Sequence, residues 1–218
     1  MLVEKWMTKK VITVDQKEAL SEAINILKRN KIRRMPVLDG DKLVGIVSDR
    51  DLKEASPSKA TSLDIWELHY LMTKIKVKDI MTRNPITIEK SATVERAAMI
   101  MHDRKIGGLP VVEGNELVGI ITEQDIFEAL INITGARIPS YRVSMLIDDS
   151  PGSIKEMCDV MREVDFKCVS ILTTYQGVPE GKREVILRFQ MGEVEFKDVI
   201  SQLRNKYGDV QFIKEEGE

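Results

Sequence analysis

Two seven-residue segments carry the residue types best suited to holding a polar small molecule. Gly45-Ile46-Val47-Ser48-Asp49-Arg50-Asp51 and Gly119-Ile120-Ile121-Thr122-Glu123-Gln124-Asp125 share the form Gly-x-x-Ser/Thr-x-x-Asp. In each, a hydroxyl stands three residues before a carboxylate, where an apolar run gives way to a helical pattern. An ionised Asp51 or Asp125 can accept hydrogen bonds from both hydroxyls of a sugar diol. Backbone N–H groups at a helix start favour an anion such as phosphate. The same spacing is close to a capping box, in which hydroxyl and carboxylate satisfy the orphan N–H groups of the helix. Both roles can hold at once, since a cap residue can exchange its partner for a ligand. Arg33 and Arg34 precede the first segment, and Gly107 and Gly108 stand at the matching positions before the second. The arginines could bind phosphate directly or be solvated surface charge. The glycines could leave room for a ligand or permit an unusual backbone conformation. This asymmetry predicts two sites of different affinity, one of which can be empty.

The segments are positioned by an internal repeat. Residues 3–55 align without gaps on 77–129, at an offset of about 74, with about a third of positions identical. Met7-Thr8 matches Met81-Thr82, Pro36-Val37 matches Pro110-Val111, and Leu43-Val44-Gly45-Ile46 matches Leu117-Val118-Gly119-Ile120. Each copy reads as β-α-β-β-α. In the first, the apolar run 11–14 precedes Leu20, Ala23, Ile24 and Leu27 at helical spacing, with Asp15 or Gln16 as the expected cap. Strand-like runs 35–38 and 43–47 flank Asp39-Gly40-Asp41, a hairpin signal that Glu113-Gly114-Asn115 repeats. Neither copy could easily bury enough apolar surface alone. Packing them together solves this and predicts a pseudo-twofold crevice, a common kind of ligand site.

Between the copies, Ser56-Pro57-Ser58 breaks the helix, and 62–75 reads as an amphipathic helix through Leu63, Trp66, Leu68, Leu71, Met72 and Ile75. It serves either as packing that ties the copies together or as a protein contact through Trp66 and Tyr70. After Thr134-Gly135 the pattern changes. A strand at 141–147, a helix through Met157, Val160, Met161 and Val164, strands at 169–174 and 184–189, a helix at 195–206 and a strand at 210–213 give β-α-β-β-α-β, the ferredoxin-like split arrangement. The expected domains are 1–134, divided as 1–56, connector 57–76 and 77–134, followed by 135–218. The fold class is mixed α+β and α/β.

The paired motifs, each preceded by a Pro-Val hairpin, resemble the CBS domain, and two in tandem resemble a Bateman module. That family senses adenosine compounds, so the resemblance implies an adenine nucleotide of the AMP, ADP or ATP type in the crevice, with Mg accompanying ATP and no required cofactor. It implies contacts from Ser48, Arg50 and Asp51, and from Thr122 and Asp125. It further implies an adenine held by the apolar edges around Ile12, Met35 and Pro36 or Ile86, Leu109 and Pro110, with Thr13, Thr87, Arg33, Arg34, Gly107 and Gly108 nearby. The junction Asp149-Ser150-Pro151-Gly152-Ser153 resembles the ACT domain, which senses small molecules at this loop and pairs its sheets between subunits. A plain capped turn is the alternative. The whole arrangement resembles the acetoin-utilisation regulatory (AcuB-like) family of bacteria, without making acetoin the ligand. It implies a cytoplasmic homodimer, joined through the CBS pair, the ACT-like domain or both, with a protein target the sequence does not name.

Composition narrows the function class. A net charge of -2 gives no long-range pull toward nucleic acid or an anionic membrane, so neither partner is expected. No apolar run approaches the ~18 residues of a membrane span, and residues 1–10 lack a signal-peptide core. Cys158 and Cys168, outside any paired motif, read as reduced and partly buried thiols. His69 and His102 have no Cys or carboxylate at metal-ligand spacing, and no Walker loop, GxGxxG or Gly-x-Ser-x-Gly occurs. An enzyme is not expected. The competing readings are a crevice enzyme using Asp51 or Asp125 with His102, and a dimerising scaffold or transcription co-regulator without a small ligand.

Overall fold

The computed structural model describes residues 1–56, 70, 72–162, 166–191 and 196–215. The chain divides into two compact units, Met1–Phe127 and Glu128–Glu218.

Each repeat builds the expected hairpin and helices, the last helix, Glu123–Thr134, continuing past the end of the first unit at Phe127. Strand β1 (Val14–Asp15) precedes α1 (Leu20–Asn30), whose Leu20, Ala23 and Leu27 are buried on one face. Neither expected residue caps α1. Ala19 holds that place without a side-chain bond, and Asp15 Oδ1 instead accepts from the Lys17 N–H at 2.8 Å, an Asx-type turn that precedes the helix. The hairpin of β2 (Arg34–Asp39) and β3 (Lys42–Ser48) turns at Gly40, with φ +60. It leads directly into α2 (Asp49–Ala55). Of the connector, Tyr70 and residues 72–74 are helical, and Met72 and Ile75 pack on the core of the first repeat. Leu63, Trp66, Leu68, His69 and Leu71 lie outside the described residues.

The leading segments of the two copies are exchanged. After α3 (Val77–Ile80), β4 (Thr82–Arg83) pairs with β3 of the first repeat, and Val77 is buried in that repeat's core. Reciprocally, Val3 is buried in the core of the second repeat, and Thr8 exchanges two backbone hydrogen bonds with Ile120, at 2.9 and 3.0 Å. Glycine at the head of each motif makes this possible. A Cβ on Gly45 would stand 3.0 Å from Met81 Cγ and 3.1 Å from the Thr82 carbonyl oxygen; one on Gly119 would stand 3.0 Å from Met7 Cγ and 3.2 Å from the Thr8 oxygen. The second repeat continues with β5 (Ile88–Glu89), α4 (Val94–Arg104), β6 (Gly108–Glu113), β7 (Glu116–Thr122) and α5 (Glu123–Thr134). The first sheet runs β1-β2-β3-β4 and the second β5-β6-β7, with β1 and β5 parallel to their neighbours.

The second unit has the expected element order: β8 (Ser140–Asp148), α6 (Ser153–Arg162), β9 (Phe166–Thr174), β10 (Lys182–Met191), α7 (Phe196–Tyr207) and β11 (Val210–Glu215). The sheet order is β11-β8-β10-β9, with every neighbouring pair antiparallel. Its core gathers Val143, Met145, Ile147, Met157, Met161, Leu187, Phe189 and Leu203. Cys158 is half-buried against this core, whereas Cys168 is exposed on β9, since β9 is an edge strand. Burial pushes the Cys158 thiol above its ordinary pKa.

Candidate functional site

Each Gly-x-x-Ser/Thr-x-x-Asp segment reaches the rim of a cavity in the first unit. The cavities measure about 490 and about 300 Å³, within the range of small-molecule sites. The larger takes Ser48, Asp49, Arg50 and Asp51 from the β3–α2 junction. Its opposite wall is Thr82, Asn84, Pro85 and Ile86, then Lys105, Ile106, Gly108 and Pro110. The smaller takes Thr122, Glu123, Gln124 and Asp125, faced by Thr8, Lys10, Val11 and Ile12, then Lys31 and Ile32. These positions correspond through the repeat offset, so the cavities are pseudo-twofold copies. Arg33, Arg34 and Gly107 line both.

The motif carboxylates are held rigidly and only half used. Asp51 Oδ2 accepts from the Ser48 N–H at 2.8 Å and from the Ser48 hydroxyl at 2.7 Å, while the Asp51 N–H reaches Ser48 Oγ at 3.3 Å. This is a capping box at the start of α2. Asp125 Oδ2 accepts from the Thr122 N–H and hydroxyl, both at 2.7 Å. Among the described residues, no hydrogen bond reaches Oδ1 of either aspartate. The cap therefore orients the group and leaves one oxygen to accept from a ligand.

The walls differ from the sequence expectation in an instructive way. Met35 and Leu109 are fully buried in the two repeat cores and line neither cavity. Strand alternation turns them inward while Arg34 and Gly108, one residue earlier, reach the cavities. Pro36 is also buried and Thr13 lines neither cavity; Thr87 lines a separate, more open cavity with Asp41, Leu43 and Asn115. Ile12, Ile86 and Pro110 do line the cavities, but each stands opposite the other repeat's aspartate. Ile86 is 41% exposed, an apolar wall open to an incoming flat group. His102 lines neither cavity. Sequence reasoning missed Thr82, Asn84 and Pro85, together with Thr8 and Val11, whereas the basic pair Lys9-Lys10 does mark Lys10 as a group suited to a phosphate compound. The repeat offset equates these segments but carries no sign that each crosses to the other copy.

The basic groups that line the cavities are arginines and lysines. The first turn of α2 carries Asp49 and Asp51 and that of α5 carries Glu123 and Asp125, so carboxylates already complement both helix ends. Arg50 turns to Glu54 at 2.9 Å. Arg34 is half-buried, and its stem packs on glycine: a Cβ on Gly108 would stand 2.9 Å from Arg34 Cδ and 3.1 Å from the Ile121 carbonyl oxygen. Burial lowers the Arg34 pKa; Glu123 opposes this, Arg33 adds to it and Asp51 opposes it. The guanidinium makes no ion pair among the described residues.

In the second unit, the loop from Asp149 to Ser153 joins β8 to α6, with Pro151 in its turn and Gly152 at φ +93. The Ser153 hydroxyl donates to the Ser150 carbonyl at 2.9 Å and accepts from Arg183 Nη2 at 2.8 Å. Arg183 Nε lies 3.5 Å from Asp149 Oδ1. Arg183 had no signal in the sequence, because only strand pairing brings β10 beside this loop.

Known proteins share the first unit's pattern. A family model described as the CBS domain matches residues 3–58 and 77–132. Over 141 residues the chain is 36% identical to a CBS domain-containing protein of Dictyostelium discoideum, covering 61% of this chain and 93% of that one. It is 37% identical over 125 residues to inosine-5'-monophosphate dehydrogenase of Korarchaeum cryptofilum, but covers only 23% of that enzyme. Among solved structures, the CBS domain pair of protein MJ0100, in complex with methylthioadenosine and S-adenosyl-L-methionine, is 31% identical with a TM-score of 0.50, covering 60% of this chain and 95% of that one. CBSX2 in complex with AMP is 28% identical, TM-score 0.52, over 61% of this chain and 98% of that one. A Vibrio cholerae protein described as an acetoin utilization protein (AcuB) is 32% identical, TM-score 0.52, over 62% and 93%. The doubled motif, its reciprocal cavities and these matches have one conclusion: the chain belongs to the CBS-domain family and carries a tandem CBS pair.

Proposed function

We propose that the chain is a regulatory sensor, not an enzyme, that binds an adenosine-containing ligand in one or both cavities of the CBS pair. The observation that carries this reading is the reciprocal pair of half-used carboxylates. Asp51 Oδ1 and Asp125 Oδ1 remain available to a ribose diol, each opposite an apolar wall of isoleucine and proline or valine. MJ0100 and CBSX2, each with an adenosine compound bound, support the ligand class. On this reading adenine lies against Ile86 and Pro110 or against Ile12, the ribose meets the aspartate, and phosphate meets Arg33 and Arg34. Mg enters only with ATP. Residues 135–218 act as an ACT-like relay, which their β-α-β-β-α-β order and Pro151-Gly152 junction support. The chain works as a cytoplasmic homodimer that conveys ligand occupancy to a protein target, as in acetoin-utilisation regulators.

Thermal unfolding with AMP, ADP, ATP and S-adenosylmethionine tests it. Ligand at a hundredfold excess over Kd adds roughly 2.7 kcal/mol, or about 5–10 °C. The expected result is a shift with at least one compound that Asp51→Ala or Asp125→Ala removes. No shift with any compound up to millimolar concentration refutes the sensor reading.

A further inference from the structure

The two cavities are related by the repeat, yet the half-buried cation between them is single. Arg34 lines both cavities, and the position that the repeat equates with it is Gly108. Gly107 and Gly108 make the floor on which the Arg34 side chain lies, and a side chain on Gly108 would meet both Arg34 Cδ and the Ile121 carbonyl. A second side chain at this seam would push Arg34 off that floor. The guanidinium is half-buried, has no ion-pair partner among the described residues, and feels acidic groups from both motifs, Asp51 on one side and Glu123 on the other. Arg33 also lines both cavities but is exposed, so its charge is more strongly screened. Lys31 and Lys105 are repeat counterparts, one in each cavity, while Lys10 lines only the smaller cavity and Arg50, turned to Glu54, only the larger.

We infer that Arg34 is one phosphate-binding cation shared by two crevices, so that a phosphorylated adenosine ligand in either crevice lowers the affinity of the other for a second phosphate. This rests on the nucleotide reading above. The first phosphate takes the partly desolvated guanidinium; the second meets the first phosphate's charge without that partner. A charge-assisted hydrogen bond at such a site corresponds to roughly ten- to hundredfold in affinity. The coupling follows phosphate charge, so a CBS pair with one nucleotide bound still admits an adenosine compound that carries no phosphate.

Isothermal titration of the full chain with AMP, and separately with adenosine, decides the matter. In the wild type, AMP is expected to show two dissociation constants about ten- to hundredfold apart. Arg34→Gln keeps the stem on Gly108 and removes the charge; its two AMP constants should converge. Arg34→Lys should retain a gap, and Arg33→Ala should weaken both crevices with the gap preserved. Adenosine should show no comparable gap in any of the proteins. A gap that persists undiminished in Arg34→Gln, or an equal gap for adenosine, overturns the shared-cation inference while leaving the nucleotide reading intact. Failure of both AMP and adenosine to bind overturns both.

Discussion

Ser48, Asp51, Thr122 and Asp125 each serve the fold before any ligand arrives. Their hydrogen bonds cap α2 and α5, and the Oδ2 atoms are committed to that role. Asp51→Ala should therefore cost about 1 kcal/mol of stability in urea titration without ligand, and should abolish ligand binding in the larger cavity while sparing the smaller one. Equal loss in both cavities would mean that the aspartate acts through the fold alone. Gly45 and Gly119 were legible as the head of a motif, but their reason was not. They have no Cβ because the thioethers of Met81 and Met7 and a crossing backbone lie against them. Gly45→Ala should destabilise the first unit by about 1–3 kcal/mol. Met81→Ala added to it should restore part of that loss, because the neighbour that yields is a flexible side chain.

The exchanged segments are the elements that complete each cavity. Val3 and the strand bridge at Thr8 belong structurally to the second repeat, although they open the first in sequence. Val3→Ala removes two methyl groups from a site with 0% exposure and should cost about 2 kcal/mol. Its loss should appear in hydrogen exchange at the Ile120 amide of β7, which donates to the Thr8 carbonyl, before it appears in β3. The opposite order of exposure would place the segment with its own repeat. Helical periodicity correctly marked Leu20, Ala23 and Leu27 as the inner face of α1. It did not locate the cap, since Ala19 has no side-chain donor or acceptor and the turn at Asp15 supplies its own local bond.

The chain divides into two compact units, and ligand should act on one of them. Both tryptophans, Trp6 and Trp66, fall within Met1–Phe127, so intrinsic fluorescence reports on the CBS pair alone. Ligand at a hundredfold excess should raise the fluorescence transition by about 5–10 °C. Phe189→Ala, in the core of the other unit, should lower only the part of the circular dichroism transition that tryptophan does not follow, at a cost of about 3–5 kcal/mol. A single shared transition that moves under both perturbations would show energetic coupling between the units.

By itself, the sequence determined the duplication, the β-α-β-β-α pattern of each copy, the β-α-β-β-α-β order of the remainder, and the Ser/Thr and Asp pair that begins α2 and α5. These features are local: they follow from residue spacing, turn chemistry and helix capping, which act over a few residues. Only the tertiary structure decided which repeat's wall faces which aspartate, that Met35 and Leu109 turn inward, and that Arg34 stands half-buried between two crevices. Those outcomes depend on strand register and on segments crossing from one copy to the other. Register inverts with a one-residue slip, and a crossing is invisible in a repeat whose two copies read alike.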